Sequence, residues 1–263
     1  MVDFIQLLAL GAIAGFTIFL GFPLIISKTI GNITRGFLNA LAAGILVFLL
    51  IEIISDTWEI AVDDLKSAFE GNVSMFIPLE DLTILFLGLA IGLIGLAYYE
   101  SRYMNPNQSE TNLRSRLATM IALGIGVHNL SEGLAIGQSY ASGAISLALL
   151  LIVGFGAHNA TEGFGILAPL TGMKEKINYA FILGILTLGG APTFLGTIIG
   201  SMYFSTLTYI FFLSIAGGAL IYVILILYNV GRRQISGHLF MSGIFLGFLV
   251  SALTDLLITI SGV

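Results

Sequence analysis

One pattern of residues that could bind a metal ion occurs twice in the chain. The first copy, GIGVHNLSEGLAI, spans 124–136, and the second, GFGAHNATEGFGI, spans 154–166. Residues four apart lie on one face of a helix, so the His and the Glu of each copy project together, with the Asn one position around. The matched residues are His128, Asn129 and Glu132 in the first copy and His158, Asn159 and Glu162 in the second.

Two imidazoles and two carboxylates form a ligand set that suits a divalent transition metal. Zinc takes His nitrogen and carboxylate oxygen, and iron(II), manganese, cobalt and nickel accept similar sets. The chain has no cysteine, and the motif has no thioether, which argues against copper(I). The alternative interpretation is structural: each His–Glu pair staples its own helix or bonds a neighbouring one. A His and a Glu in an apolar stretch mark a functional site by default, and their matched duplication favours the metal site.

The composition indicates that these motifs lie in a membrane protein. Of 263 residues, 57% are hydrophobic and only 10% are charged, against about 25% charged in soluble domains. Because a spanning helix needs about 20 apolar residues, we predict a single polytopic domain, 1–263, with eight spans. They are 4–26, 36–57, 82–100, 115–138, 143–170, 178–203, 206–230 and 237–260.

The basic residues predict the orientation of the spans. Nine of the ten Lys and Arg fall in alternate connections, and the exception is Lys66. The positive-inside rule makes those connections cytoplasmic and puts both termini outside the cell. We expect the protein to lie in the plasma (inner) membrane. The stretch after Trp58 is then an acidic outer connection, either a solvated loop with a short helix over Ala61–Phe69 or a weak surface for concentrating cations.

Glu52 and Asp56 lie four residues apart near the outer end of span two. In a functional interpretation they pass cations inward to the central motifs. In the alternative they only reach the polar membrane interface, and the sequence supports both equally. Asp255, near the outer end of span eight, is interpreted as interfacial, and His238, at the start of that span, as a surface residue.

The span count, the orientation and the twin motifs resemble the ZIP (Zrt/Irt-like) family of divalent metal transporters. The resemblance covers essentially the whole chain and implies an all-α 3+2+3 bundle with a pseudo-two-fold inverted repeat. It also implies a transport site between spans four and five. By resemblance the metal ligands are His128, Glu132, His158 and Glu162, with Asn129 and Asn159 lining the adjacent position.

Three positions depart from the family pattern. Ser131 and Thr161 stand where the family usually has proline, and their hydroxyls could bond back to a carbonyl and bend the helix gently. Ala191 precedes Pro192 where many members have a glutamate of a second metal position. We therefore expect one metal site and a divergent member.

The expected function is transport of a divalent metal ion as substrate, with zinc first and iron(II), manganese, cobalt, nickel or cadmium as other candidates. The expected partners are this ion and the lipid bilayer, with no catalytic cofactor and no nucleic acid, and a homodimer is compatible with the sequence. A metal-binding sensor or transport-altered relative is one alternative. The other, an intramembrane metal-dependent hydrolase, is disfavoured because His-Glu-x-x-His and Gly-x-Ser-x-Gly are both absent from the chain.

Overall fold

The described chain folds into helices alone. The computed structural model describes residues 4–23, 31–103, 109–171, 178–203 and 205–260, which contain no strand. The helices are α1 (Phe4–Phe16), α2 (Asn32–Phe69), α3 (Phe76–Tyr103), α4 (Glu110–Ala141), α5 (Ile145–Leu167), α6 (Tyr179–Met202), α7 (Thr206–Gly231) and α8 (Gly237–Ile260). Short 3-10 turns over Thr17–Gly21 and Ala168–Leu170 extend α1 and α5.

Six of these helices, α2, α3, α4, α6, α7 and α8, are long and apolar enough to cross a membrane. The predicted class, an all-α multi-pass membrane protein, is therefore confirmed for the described residues. α1 and α5 are not among the six, so the count of eight spans and the 3+2+3 arrangement stay predictions. The orientation also stays a prediction, and Lys28, Lys174 and Lys176, on which it partly rests, lie outside the described residues.

The acidic stretch after Trp58 is not a loop. α2 has 38 residues and is about 57 Å long at 1.5 Å per residue, well beyond the roughly 30 Å of hydrocarbon in a bilayer. No Gly or Pro interrupts the sequence between Gly44 and Gly71, so the predicted short helix over Ala61–Phe69 continues span two directly. Gly71, with a φ of 79°, ends the helical run because this left-handed conformation favours glycine.

The helices group into two bundles by their contacts. The first bundle contains α1, α4, α5 and α6, and the second contains α2, α3, α7 and α8. α4 contacts α5, the next helix in the chain, but it packs more extensively against α6. One hydrophobic core, which includes Leu46, Ile121 and Leu220, extends across both bundles.

Glycine explains why α4 and α6 lie so close. A Cβ on Gly133 would overlap the backbone oxygen of Thr193, and a Cβ on Gly196 would overlap that of Leu130. Gly137 and Gly200 repeat the same relation one turn further along. Small residues four apart let two helix backbones approach closely in a membrane. This contact holds the first motif against α6.

Candidate metal centre

The predicted His–Glu pair of the first motif is present on α4. The Nε2 atom of His128 lies 3.0 Å from Oε1 of Glu132, and each residue is only 5% exposed. The helical spacing of four residues produces this contact directly. The prediction that these two side chains share one face is confirmed.

The second motif lies on α5 and turns inward as well. Glu162 is fully buried and interacts electrostatically with both Glu132 and His128. The side chain of His158 lies outside the described residues, although its backbone belongs to α5. Glu162 therefore joins the first motif, and the position of the His158 imidazole stays a prediction.

The amide of Asn129 connects the two motifs. Its Nδ2 donates to Oδ1 of Asn159 at 2.6 Å, to Oε2 of Glu162 at 3.0 Å and to the carbonyl of Gly189 at 3.0 Å. Three acceptors around one amide nitrogen fix its orientation, since the flipped amide would place an oxygen against all three. Asn129 thus joins α4 to both α5 and α6.

Asn159 extends this network to α1. Its Nδ2 donates to the carbonyl of Ala14 at 2.9 Å and approaches Oγ1 of Thr193 at 3.4 Å, while its Oδ1 accepts from Asn129. Both ends of the amide are thus engaged by protein. These hydrogen bonds give Asn159 a structural role in joining the helices. Its predicted role beside the metal stays a prediction.

A carboxylate oxygen and an amide oxygen of the first motif are buried without a hydrogen-bond partner in the described part of the chain. They are Oε2 of Glu132 and Oδ1 of Asn129. A buried acceptor without a donor is costly, and a buried carboxylate oxygen more so. Carboxylate and amide carbonyl oxygens are both ligands for hard and borderline metals, so a cation bound at either one would satisfy it.

Ser131 stands where the family usually has proline, and it does not form the hydrogen bond that was expected of it. Its Oγ is buried and makes no hydrogen bond to any described residue. The expected bond back to a carbonyl is therefore absent, and α4 continues as a helix on both sides of it.

Acidic residues continue outward from the centre. Glu52, half-buried on α2, interacts electrostatically with His128 and Glu132, and the exposed Asp56 interacts with His128. The backbones of these two residues are about 6 Å apart along the axis of α2, at 1.5 Å per residue. The predicted outer pair thus lies within electrostatic reach of the motif.

Two further residues interact with Glu52 and Asp56. Asp255 on α8 interacts electrostatically with Glu52 and Asp56, and its predicted interfacial position stays a prediction. Tyr209 on α7 interacts with Asp56, Glu132 and Glu52 and was missed. The sequence could have indicated Asp255, because a carboxylate in an apolar span is unusual. It could not have indicated Tyr209, which is one of nine tyrosines.

No group of three or more His, Asp or Glu side chains in the described ranges is arranged to hold a metal ion. The predicted four-ligand set includes the His158 imidazole and stays a prediction. No protein-family model matches the chain, and no curated protein matches it. The functional assignment therefore rests on the site and on the motif resemblance. His238, predicted to lie on the surface, is exposed at the start of α8.

Proposed function

We propose that this protein transports divalent transition-metal ions across a membrane and belongs to the ZIP family. Zinc is the first candidate, and iron(II), manganese, cobalt, nickel and cadmium follow because the ligand types do not choose among them. The proposal includes eight spans, both termini outside the cell, and a location in the plasma membrane.

The observation that carries the proposal is the buried His128–Glu132 pair, with which a second buried carboxylate, Glu162, interacts electrostatically. Carboxylates buried among apolar helices are expensive unless they have a functional counter-charge. A dication supplies that charge, and Oε2 of Glu132, which no described residue hydrogen-bonds, supplies a ligand for it. Such a site between packed helices, reached by a row of acids, is typical of a transporter.

In the proposed cycle, a hydrated cation is attracted by the outer acids Asp255, Asp56 and Glu52. It then exchanges water for the ligands of the two motifs. Protonation of Glu132 or Glu162 weakens the site and promotes release. Rocking of one bundle against the other changes the side from which the centre is accessible.

Metal uptake into proteoliposomes tests the proposal. We expect the wild-type chain to accumulate at least one of the six metals, and a variant with His128→Ala and His158→Ala to lose that uptake. His238→Ala is the matched control, since it removes the remaining histidine, which is exposed and far from the motifs. No uptake of any metal by the wild-type protein would contradict transport.

Metal binding by the same proteins separates the alternatives. Binding that the double His variant abolishes, without uptake, would indicate a sensor or transport-altered relative. A metal-dependent cleavage activity without flux would indicate the hydrolase. Equal binding by the wild type and the double variant would make the motifs structural.

The two carboxylates have a test of their own. Glu132→Gln combined with Glu162→Gln keeps the side-chain shape and removes both charges. We expect metal affinity to fall by at least about tenfold, comparable to the loss of a supporting ligand contact. Unchanged uptake by this variant would refute the proposed role of the carboxylates in binding and release.

A further inference from the structure

A cavity of about 300 Å³ lies where α7 ends and α8 begins. It is separate from the metal centre, because about 26 Å of α8, at 1.5 Å per residue, lies between His238 and the acidic residue Asp255. Its walls combine a cation, an imidazole and apolar groups. The lining residues are Tyr228, Arg232, Gly237, His238, Phe240 and Met241.

The guanidinium of Arg232 is held in place at this cavity. Its Nη1 donates to the hydroxyl of Tyr228 at 2.7 Å, and its Cζ lies 5.6 Å from the centre of the same ring. The ring in turn packs edge-on against Phe240, with centroids 5.6 Å apart, and Phe240 is fully buried. A cation fixed on an aromatic support binds a ligand with less loss of side-chain freedom.

A second cation lies next to the cavity in the sequence. Arg233 follows directly and is exposed, and the sequence contains no Asp or Glu between Glu175 and Asp255. α8 begins at Gly237, so its first amide N–H groups and the positive end of its dipole add to the field. Such a cavity favours an anion, and the planar fork of an arginine suits a phosphate.

An exposed apolar stripe leads from the cavity along α8. Met241, Phe245 and Leu249 are four residues apart and are 52%, 63% and 36% exposed. They therefore lie on one face of the helix, which is one of the six able to span a membrane. A soluble phosphate compound gains nothing from this stripe, whereas an acyl chain can lie along it.

We propose that this cavity binds the phosphate headgroup of an anionic phospholipid, with one acyl chain along Met241, Phe245 and Leu249. Arg232 contacts the phosphate as a bidentate donor, and His238 borders it from α8. A cavity of this size accommodates a headgroup and leaves the tails on the outer surface of the helix. Basic cavities at helix ends in membrane proteins suit such lipids. This proposal does not depend on the metal-transport function.

The test compares lipids on the purified full chain in detergent. Binding of long-chain phosphatidylglycerol, phosphatidylcholine and inorganic phosphate is measured by native mass spectrometry and by the shift in thermal unfolding temperature. We expect saturable binding of phosphatidylglycerol, little of phosphatidylcholine and none of free phosphate. Arg232→Gln should weaken phosphatidylglycerol binding by about tenfold, the factor expected when one charge-assisted contact is lost.

Arg102→Gln is the matched control, because Arg102 is an exposed arginine in the last turn of α3 and does not line the cavity. Its lipid binding should equal that of the wild type. A dihexanoyl phosphatidylglycerol should bind more weakly than the long-chain lipid if the stripe holds a chain. Equal binding of both headgroups, or equal losses in the Arg102 and Arg232 variants, would overturn the proposal. Saturable binding of free phosphate with no gain from the chain would assign the cavity to a soluble anion instead.

Discussion

At the scale of single residues, the two motifs divide into two chemical roles. Glu132 and Asn129 each keep one buried oxygen without a donor in the described ranges. Asn159, by contrast, uses its donor on Ala14 and its acceptor on Asn129. The aligned asparagines are therefore not equivalent, although the sequence repeats them at the same place.

We predict that Asn159→Ala destabilises the protein more than it changes metal binding. The variant leaves the buried carbonyl of Ala14 without its donor, which costs about 1–3 kcal/mol of unfolding free energy. The measurement is unfolding in a denaturing-detergent titration, alongside metal affinity. Ser251→Ala is the control, since Ser251 is a buried polar residue whose Oγ has no hydrogen-bond partner among the described residues. A large loss of affinity with unchanged stability would make Asn159 a metal ligand.

At the scale of elements, the centre depends on how closely α4 and α6 approach. Gly133 and Gly196 meet at backbone contact, and this contact places the carbonyl of Gly189 on α6 within 3.0 Å of Asn129. Gly133 belongs to the first motif. Its partner helix, α6, could not be read from the motif itself.

A pair of glycine substitutions on α6 tests this contact. Gly196→Ala should lower the unfolding free energy by about 1–3 kcal/mol, because the new methyl group overpacks the interface with α4. Gly184→Ala is the matched control on the same helix, where an added Cβ meets no atom within 4 Å. Alanine there should be neutral or stabilising by up to about 1 kcal/mol. The measurement is the thermal unfolding of both variants. Equal changes in stability would refute a close contact between α4 and α6 at Gly196.

At the scale of the whole molecule, the centre lies in the first bundle and faces acids of the second. His128, Glu132 and Glu162 belong to α4 and α5, whereas Glu52 and Asp255 belong to α2 and α8. If the bundles rock during transport, the distance between these two sets changes in each cycle. Fixing one bundle to the other should then stop transport without touching a ligand.

Engineered disulfides test this motion on a chain with no native cysteine. A Cβ on Gly124 of α4 lies 3.4 Å from that of Ala219 on α7, close to the disulfide spacing of about 3.8 Å. We expect Gly124→Cys with Ala219→Cys to block uptake when oxidised and to recover on reduction. The single variants Gly124→Cys and Ala219→Cys cannot form the cross-link and are the controls, and both should keep uptake under the same oxidant. Full uptake by the oxidised cross-bundle pair would exclude rocking.

The sequence alone determined the class of the protein and the local geometry of its motif. Apolar segments of spanning length can satisfy their backbone only as helices in a membrane, so the all-α membrane class followed from composition. A spacing of four residues places His128 beside Glu132 on any helix, so that contact followed from the motif. The continuation of α2 past Trp58 was not predicted, although the sequence carried a signal for it, since no glycine or proline lies between Gly44 and Gly71.

Only the tertiary structure decided which helices surround the motif. The packing of α4 on α6, the engagement of Asn159 by Ala14, and the inclusion of Tyr209 and Asp255 all join residues that are distant in the chain. Helix–helix contacts in a membrane depend on close packing of small residues and on interhelical hydrogen bonds rather than on hydrophobicity. Every apolar helix offers several such faces, so local pattern does not select among them, and the three-dimensional packing does.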